Sequence, residues 1–248
     1  MDGTQAARGL SDFRLKVIGL TLIILSMGGS VVAQTGMPAD LKGVDLGRLT
    51  IAVLIEIVSW TAFPIFAWLL WSGYRNTRSI WKYGLRLLAA AVISEVPYDL
   101  ATTGMWWDPS TQNPIFALVI CLAVLASIKW LRATGVGYVV CCIVICLAGA
   151  LWMALMQAGV RLGVLPGGLL LLAFTVIFRF LSNRENWMML AGAVVGSFAL
   201  VLPAFGMIFL HFRNGELGMS RRTQQLCYAV YPAALLVLGL VRLALQAG

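Results

Sequence analysis

Two carboxylates, Glu95 and Asp99, stand four residues apart in the apolar stretch "AVISEVPYDLA" (91–101), with Pro97 between them. A spacing of four puts both acids on one face of a helix. An ionisable group inside a membrane span costs about 2.5–3.5 kcal/mol on insertion scales, so two on one segment need a reason. Pro97 has no N–H to donate and predicts a kink beside the acids. A broken helix carrying acids points to a water-filled cavity with proton-transfer or cation chemistry. The competing reading is an interhelical hydrogen bond or ion pair that holds a bundle together. Glu56 is a third acid within an apolar run, read as structural. Metal chemistry is poorly served: His211 is the only histidine, which argues against a zinc site, and no metal ligands are assigned. The five cysteines lie in or beside apolar runs without a CxxC spacing, which fits buried free thiols.

The elements that must position these acids are transmembrane helices. The 248 residues are 60% hydrophobic and only 11% charged, with mean hydropathy +0.90. Soluble domains carry about a quarter charged residues. The chain therefore reads as one all-α polytopic bundle, a single domain over 1–248, with about eight spans. The spans expected are 17–33, 49–74, 87–105, 115–128, 138–160, 164–181, 188–210 and 226–245, the fourth extending through Lys129 and Trp130. The stretch "RLG" between the fifth and sixth leaves room for a hairpin or a broken pair. On this reading Glu95 lies roughly 13 Å from Arg86, near mid-membrane. The first run resembles a signal peptide ending in "SVVAQ", but an uncleaved first helix is simpler.

The Lys/Arg bias of short loops sets orientation. The N-terminal segment carries Arg8, Arg14 and Lys16, and the second loop carries Arg75, Arg78, Lys82 and Arg86, whereas "WWDPSTQNP" carries none. The N-terminus and the second loop are thus expected in the cytoplasm and 106–114 outside. The loop "HFRNGELGMSRR" conflicts, because eight spans would put Arg213, Arg221 and Arg222 outside. Either the count is off by one, or these arginines face a cavity or ligand. The plainer reading of Arg75, Arg78, Lys82 and Arg86 is this positive-inside bias; the sharper one is an anion site for a phosphate-bearing cofactor. Trp106, Trp107 and Trp130 read as interface anchors, and the Met residues of "WMALM" and "WMML" as packing. The net charge of +8 is scattered between spans, so the lipid bilayer, and not nucleic acid, is the expected partner.

Several stretches together resemble the TraX family of membrane proteins, to which a pilin N-acetylase belongs. They are "AFPIFAWLLWSGYRNTRSIWKYGLRLL" (62–88), "ISEVPYDLA" (93–101), "QNPIFAL" (112–118), "FRNGELG" (212–218) and "YPAALL" (231–236). The positions matching by identity are Pro64, Gly73, Thr77, Tyr83, Arg86, Ser94, Glu95, Pro97, Asp99, Asn113, Asn214, Gly215, Tyr231 and Pro232. The resemblance implies a multi-helix membrane acyltransferase that uses acetyl-CoA to modify a membrane-delivered substrate such as pilin. It is similar to a wider group that carries acetyl groups across the bilayer. On that reading Glu95 and Asp99 are the catalytic candidates, and Arg75, Arg78, Arg86, Asn113, Arg213 and Asn214 are the cofactor-binding ones. A membrane or surface-appendage protein would be the partner.

Three departures stand against catalysis. Where the family has an Asp-His pair in the first span, this chain has Ser26 and Met27. Where the family has an arginine before Ala-Phe-Pro, it has Trp60. Where the family reads Tyr-Pro-x-His, it has Ala234. Histidine is the natural base for attack on a thioester, and His211 matches neither family position. Either the chemistry moved to Glu95 or Asp99, or it was abandoned. The readings are a degenerate acetyltransferase, a non-catalytic assembly or binding factor on the same scaffold, and a small transporter with an intramembrane carboxylate path.

Overall fold

The computed structural model describes residues 9–34, 46–161, 165–199, 201–218 and 220–247. Ten helices carry nearly all of them: α1 (Asp12–Gln34), α2 (Leu46–Ser59), α3 (Ala62–Asn76), α4 (Ile80–Thr102), α5 (Pro114–Trp130), α6 (Gly135–Met156), α7 (Gly167–Leu181), α8 (Glu185–Phe198), α9 (Leu202–His211) and α10 (Arg221–Ala247). Two antiparallel strand fragments, β1 (Val160–Arg161) and β2 (Leu165–Pro166), join α6 to α7. The "SVVAQ" stretch (30–34), read as resembling a cleavage site, forms the last turns of α1.

The sequence accounts for the helix starts. Ser79 accepts from the Lys82 amide at 3.4 Å and caps α4. Asn113 accepts from the Ile115 amide at 2.9 Å and caps α5, whose first residue is Pro114. The α4 cap corrects the expected start of the third span. The segment 80–86, read as loop, forms the first turns of α4, because Ser79 supplies the acceptor its amides need.

Helix α1 runs antiparallel to α2 and α3. A side chain at Gly29 would meet Ile55, one at Gly19 would meet Phe66, and Ser72 donates to Asp12 at 2.7 Å. The expected span 49–74 is therefore two helices broken at Trp60 and Thr61 that keep one direction. The expected span 188–210 behaves differently. Beside α8, Gly192 faces Met207, and Gly196 faces Pro203 and Ala204, so α9 folds back along α8 as a hairpin. Glu185 at one end meets Arg213 at the other, at 2.5 Å.

The two ends of the bundle differ in charge. The start of α1, the end of α3, the starts of α4 and α10, the α5–α6 and α7–α8 turns and both ends of the α8–α9 hairpin share one end, called here the basic end. It holds Arg14, Arg75, Arg78, Lys82, Lys129, Arg132, Arg184 and Arg213. The other end carries the 103–113 loop, the β fragments and Arg242. Among the described residues the chain passes between the two ends seven times and returns once without crossing.

Four helical stretches are long and apolar enough to cross a membrane: Asp12–Val32, Leu46–Asn76, Gly135–Met156 and Leu226–Gln246. Pro114–Trp130, Gly167–Leu181 and Leu202–His211 are shorter apolar helices. The outward face of α6 exposes Val140, Ile143, Val144, Leu147, Leu151 and Leu155. An apolar face that wide suits lipid and not water. The main core instead packs α3, α5 and α7 around Ile65, Trp68, Leu125, Phe174 and Phe178.

Candidate functional site

Because α4 starts at Ile80, Glu95 sits in the far half of that helix, level with the cap of α5. Glu95 Oε2 accepts from the Asn113 backbone amide at 3.2 Å and from Asn113 Nδ2. Asn113 Nδ2 also donates to Ala91 O at 2.8 Å, so this one buried side chain joins the α5 cap to α4. One turn on, Asp99 Oδ2 accepts from the Asp108 amide at 2.9 Å, and Asp108 Oδ1 accepts from the Ser110 amide at 3.0 Å. Each acid thus uses one oxygen to pin the 103–113 loop. Glu95 Oε1 and Asp99 Oδ1 are buried without a hydrogen-bond partner, as is Ser94 Oγ beside them. Arg242 of α10 closes the end of α4, donating to Ala101 O at 3.1 Å and Thr102 O at 2.5 Å.

Glu56 forms a second buried centre on α2. Ser26 Oγ donates to its Oε2, and Trp60 Nε1 donates to its Oε1 at 3.3 Å. Ser26 and Trp60, two of the positions that the sequence reading sets against the family pattern, therefore meet on one carboxylate. The third, Met27, packs with Tyr98, Ala101, Tyr231 and Leu235 in a small apolar cluster. Ala234 lies on the same stretch of α10. The α4 acids and Glu56 are therefore linked through this cluster at the α1–α4–α10 seam. Ser26, Met27, Glu56, Tyr98 and Asp99 are each 2% exposed or less.

The expected cofactor set does not gather in one place. Asn113 belongs to the far acid centre. Arg75, Arg78, Arg86, Arg213 and Asn214 belong to the basic end. Arg213 is engaged there: it clamps Glu185, donates to Leu210 O at 2.7 Å, and lies 4.2 Å over the Trp68 ring. Asn214 Oδ1 accepts from the Glu216 amide, and its own amide donates to Leu10 O at 3.0 Å. Arg86 Nε donates to Lys82 O at 3.1 Å. Arg75 lies 5.9 Å over Trp71, and Arg78 is exposed. His211 is exposed beside Phe212. Among the described residues no group of three or more His, Cys, Asp or Glu could hold a metal ion, and the cysteines are free thiols.

The motif segments thus occupy connected places in one helical bundle, and a family model described as TraX protein matches residues 14–242. The chain belongs to the TraX family. No curated protein and no solved structure matches it. Among TraX features, the acid–Pro–Tyr–Asp stretch builds the α4 centre and "QNP" supplies its cap, while "FRNG" ties α9 to the N-terminal segment. Single-sequence reasoning missed the Glu56–Ser26–Trp60 contacts and the Arg242 cap. The Ser26–Glu56 contact and the Arg242 cap join residues far apart in the chain, and only the apolar surroundings of Glu56 hinted at a buried partner.

Proposed function

We propose that this TraX-family membrane protein keeps the scaffold of an acetyl-CoA-dependent acyltransferase but works by binding, its own acyl transfer weak or lost. The observation that carries this reading is the fate of the substituted positions. Met27 fills the α1–α10 seam with an apolar side chain, and Ser26 and Trp60 are spent on Glu56. None of Met27, Trp60 or Ala234 can take a proton from a nucleophile. Asp99 is 1% exposed among the described residues, which does not fit a carboxylate open to a thioester. Among the described residues, Arg75, Arg78 and Arg86 are the members of the expected cofactor set left at the basic end without an acidic partner. The bundle would cross the membrane seven times with its basic end in the cytoplasm, following the Lys/Arg asymmetry. A membrane or surface-appendage protein such as pilin is the partner this reading implies.

Labelled acetyl-CoA incubated with purified protein and peptide amines or sugar hydroxyls tests the proposal. Transfer and hydrolysis at background rate are expected. Robust turnover that vanishes in Glu95→Gln or Asp99→Asn would overturn it and put the base on α4.

One observation favours a second reading. Glu95 Oε1 and Asp99 Oδ1 are buried acceptors without partners, one turn apart, as a proton or cation path would need. Proton flux into proteoliposomes that is abolished by Asp99→Asn would favour transport over binding.

A further inference from the structure

The basic end carries a cation cluster that neither reading of the acids uses. Arg75 of α3 and Arg179 of α7 each place their guanidinium carbon 5.9 Å from the centre of the Trp71 ring. Lys129 of α5 places Nζ 5.9 Å from the ring of Tyr74, which stacks on Trp71 at 5.6 Å. Three helices that pack on one another thus deliver three cations to one aromatic pair. None of the three pairs with a carboxylate among the described residues. The nearby acids are occupied: Asp12 accepts from Ser72, and Glu185 is clamped by Arg213. Trp71 Nε1, a donor, is buried without a partner. The cluster offers donors and positive charge and no free acceptor.

The flanking residues fix its depth. Trp130 follows Lys129 and is 61% exposed; Phe180 follows Arg179 and is 45% exposed. Exposed aromatic residues at helix ends mark the membrane–water interface, where lipid phosphates lie. Guanidinium groups bind phosphate oxygens bidentately, and the Trp71 ring holds both guanidinium groups near one another at 5.9 Å from its centre, with Arg179 also 5.5 Å from the Phe180 ring. Cation–π contacts alone leave most of those N–H donors unused.

We propose that Arg75, Lys129 and Arg179, arrayed over Trp71 and Tyr74, form a phosphate-binding site at the basic end. Its ligand is an anionic lipid headgroup or the phosphate of a soluble nucleotide. The site does not depend on acyl transfer, since binding is read without turnover.

The test uses the full chain in nanodiscs of zwitterionic lipid. Binding of phosphatidylglycerol is counted by native mass spectrometry, and binding of adenosine 3′,5′-bisphosphate by titration calorimetry. The wild type should bind at least one of these probes with an affinity that falls as salt rises. Arg75→Gln/Arg179→Gln should weaken it about tenfold or more, and the exposed Lys129→Gln, which leaves the packing intact, should weaken it several-fold. Arg132→Gln and Arg184→Gln, cations of the same end outside the cluster, should leave it unchanged. Lipid binding alone identifies the headgroup as the source, and bisphosphate binding alone identifies the nucleotide. Failure of both probes to bind, or equal loss in the Arg132 and Arg184 variants, would overturn the site.

Discussion

At the scale of single residues, the α4 acids carry two roles that can be separated. One oxygen of Glu95 anchors Asn113, and the other is unpartnered. Glu95→Gln keeps an acceptor for the Asn113 amide, so the variant should melt near the wild type in detergent. Glu95→Ala orphans two buried donors, each costing about 1–3 kcal/mol. Asn113→Ala removes the Nδ2 donor and the α5 cap but leaves the backbone amide, so the losses in the double variant should sum to less than those of the two single variants. Additive losses in this cycle would show that the pair does not hold the loop. Glu95 and Asp99 were legible in the sequence because charged residues in an apolar run stand out. Their partners were not. Asn113 and Asp108 sit in a polar loop, where a polar residue carries no signal, and Ser26 and Trp60 lie 30 residues and one turn from Glu56 on separate sides of an unmarked contact.

At the scale of elements, the helices were legible through hydropathy, and the path of the chain was only partly so. An apolar run has the same composition whether it crosses or turns back. The chain reverses between the end of α8 at Phe198 and the start of α9 at Leu202. Val201 adopts φ 68°, a conformation that a β-branched residue rarely takes. The sequence offered one clue, the arginines of 211–222 on what eight spans would make the wrong side. The hairpin removes that conflict by returning them to the basic end. Two predictions belong here. Val201→Gly relieves the backbone and should hold or raise the melting temperature, while Gly196→Val drives a side chain into the Ala204 and Pro203 backbone and should lower it clearly. In a variant lacking the native cysteines, single cysteines at Ser79, Asn183 and Gly215 should label from one side and Ser110 from the other. Labelling of Asn183 and Gly215 from opposite sides would restore the eight-span path.

At the scale of the whole molecule, polar groups divide between the two ends, and this division shapes what the protein can do. The cations gather where a soluble or headgroup anion would arrive. The buried carboxylates Glu95 and Asp99 lie at the other end, where Tyr98 of the same helix packs in a seam with Met27, Tyr231 and Leu235, while the buried Asp12 stays at the basic end. On the proposed reading, acyl transfer would call for a proton acceptor in that seam, where Ser26 and Trp60 instead satisfy Glu56. One substitution alone should therefore not revive chemistry. Met27→His would put an imidazole among apolar side chains without a partner, lowering stability with no gain in rate. Restoring the set together with Ser26→Asp, Met27→His, Trp60→Arg and Ala234→His gives the imidazole a carboxylate and Glu56 an arginine. A positioned proton-transfer group contributes about 10²–10⁴-fold, so the fourfold variant should hydrolyse labelled acetyl-CoA at least ~10²-fold faster than the wild type. A folded fourfold variant that stays at background would show that catalysis was lost through other residues, and that the closed seam is not its cause.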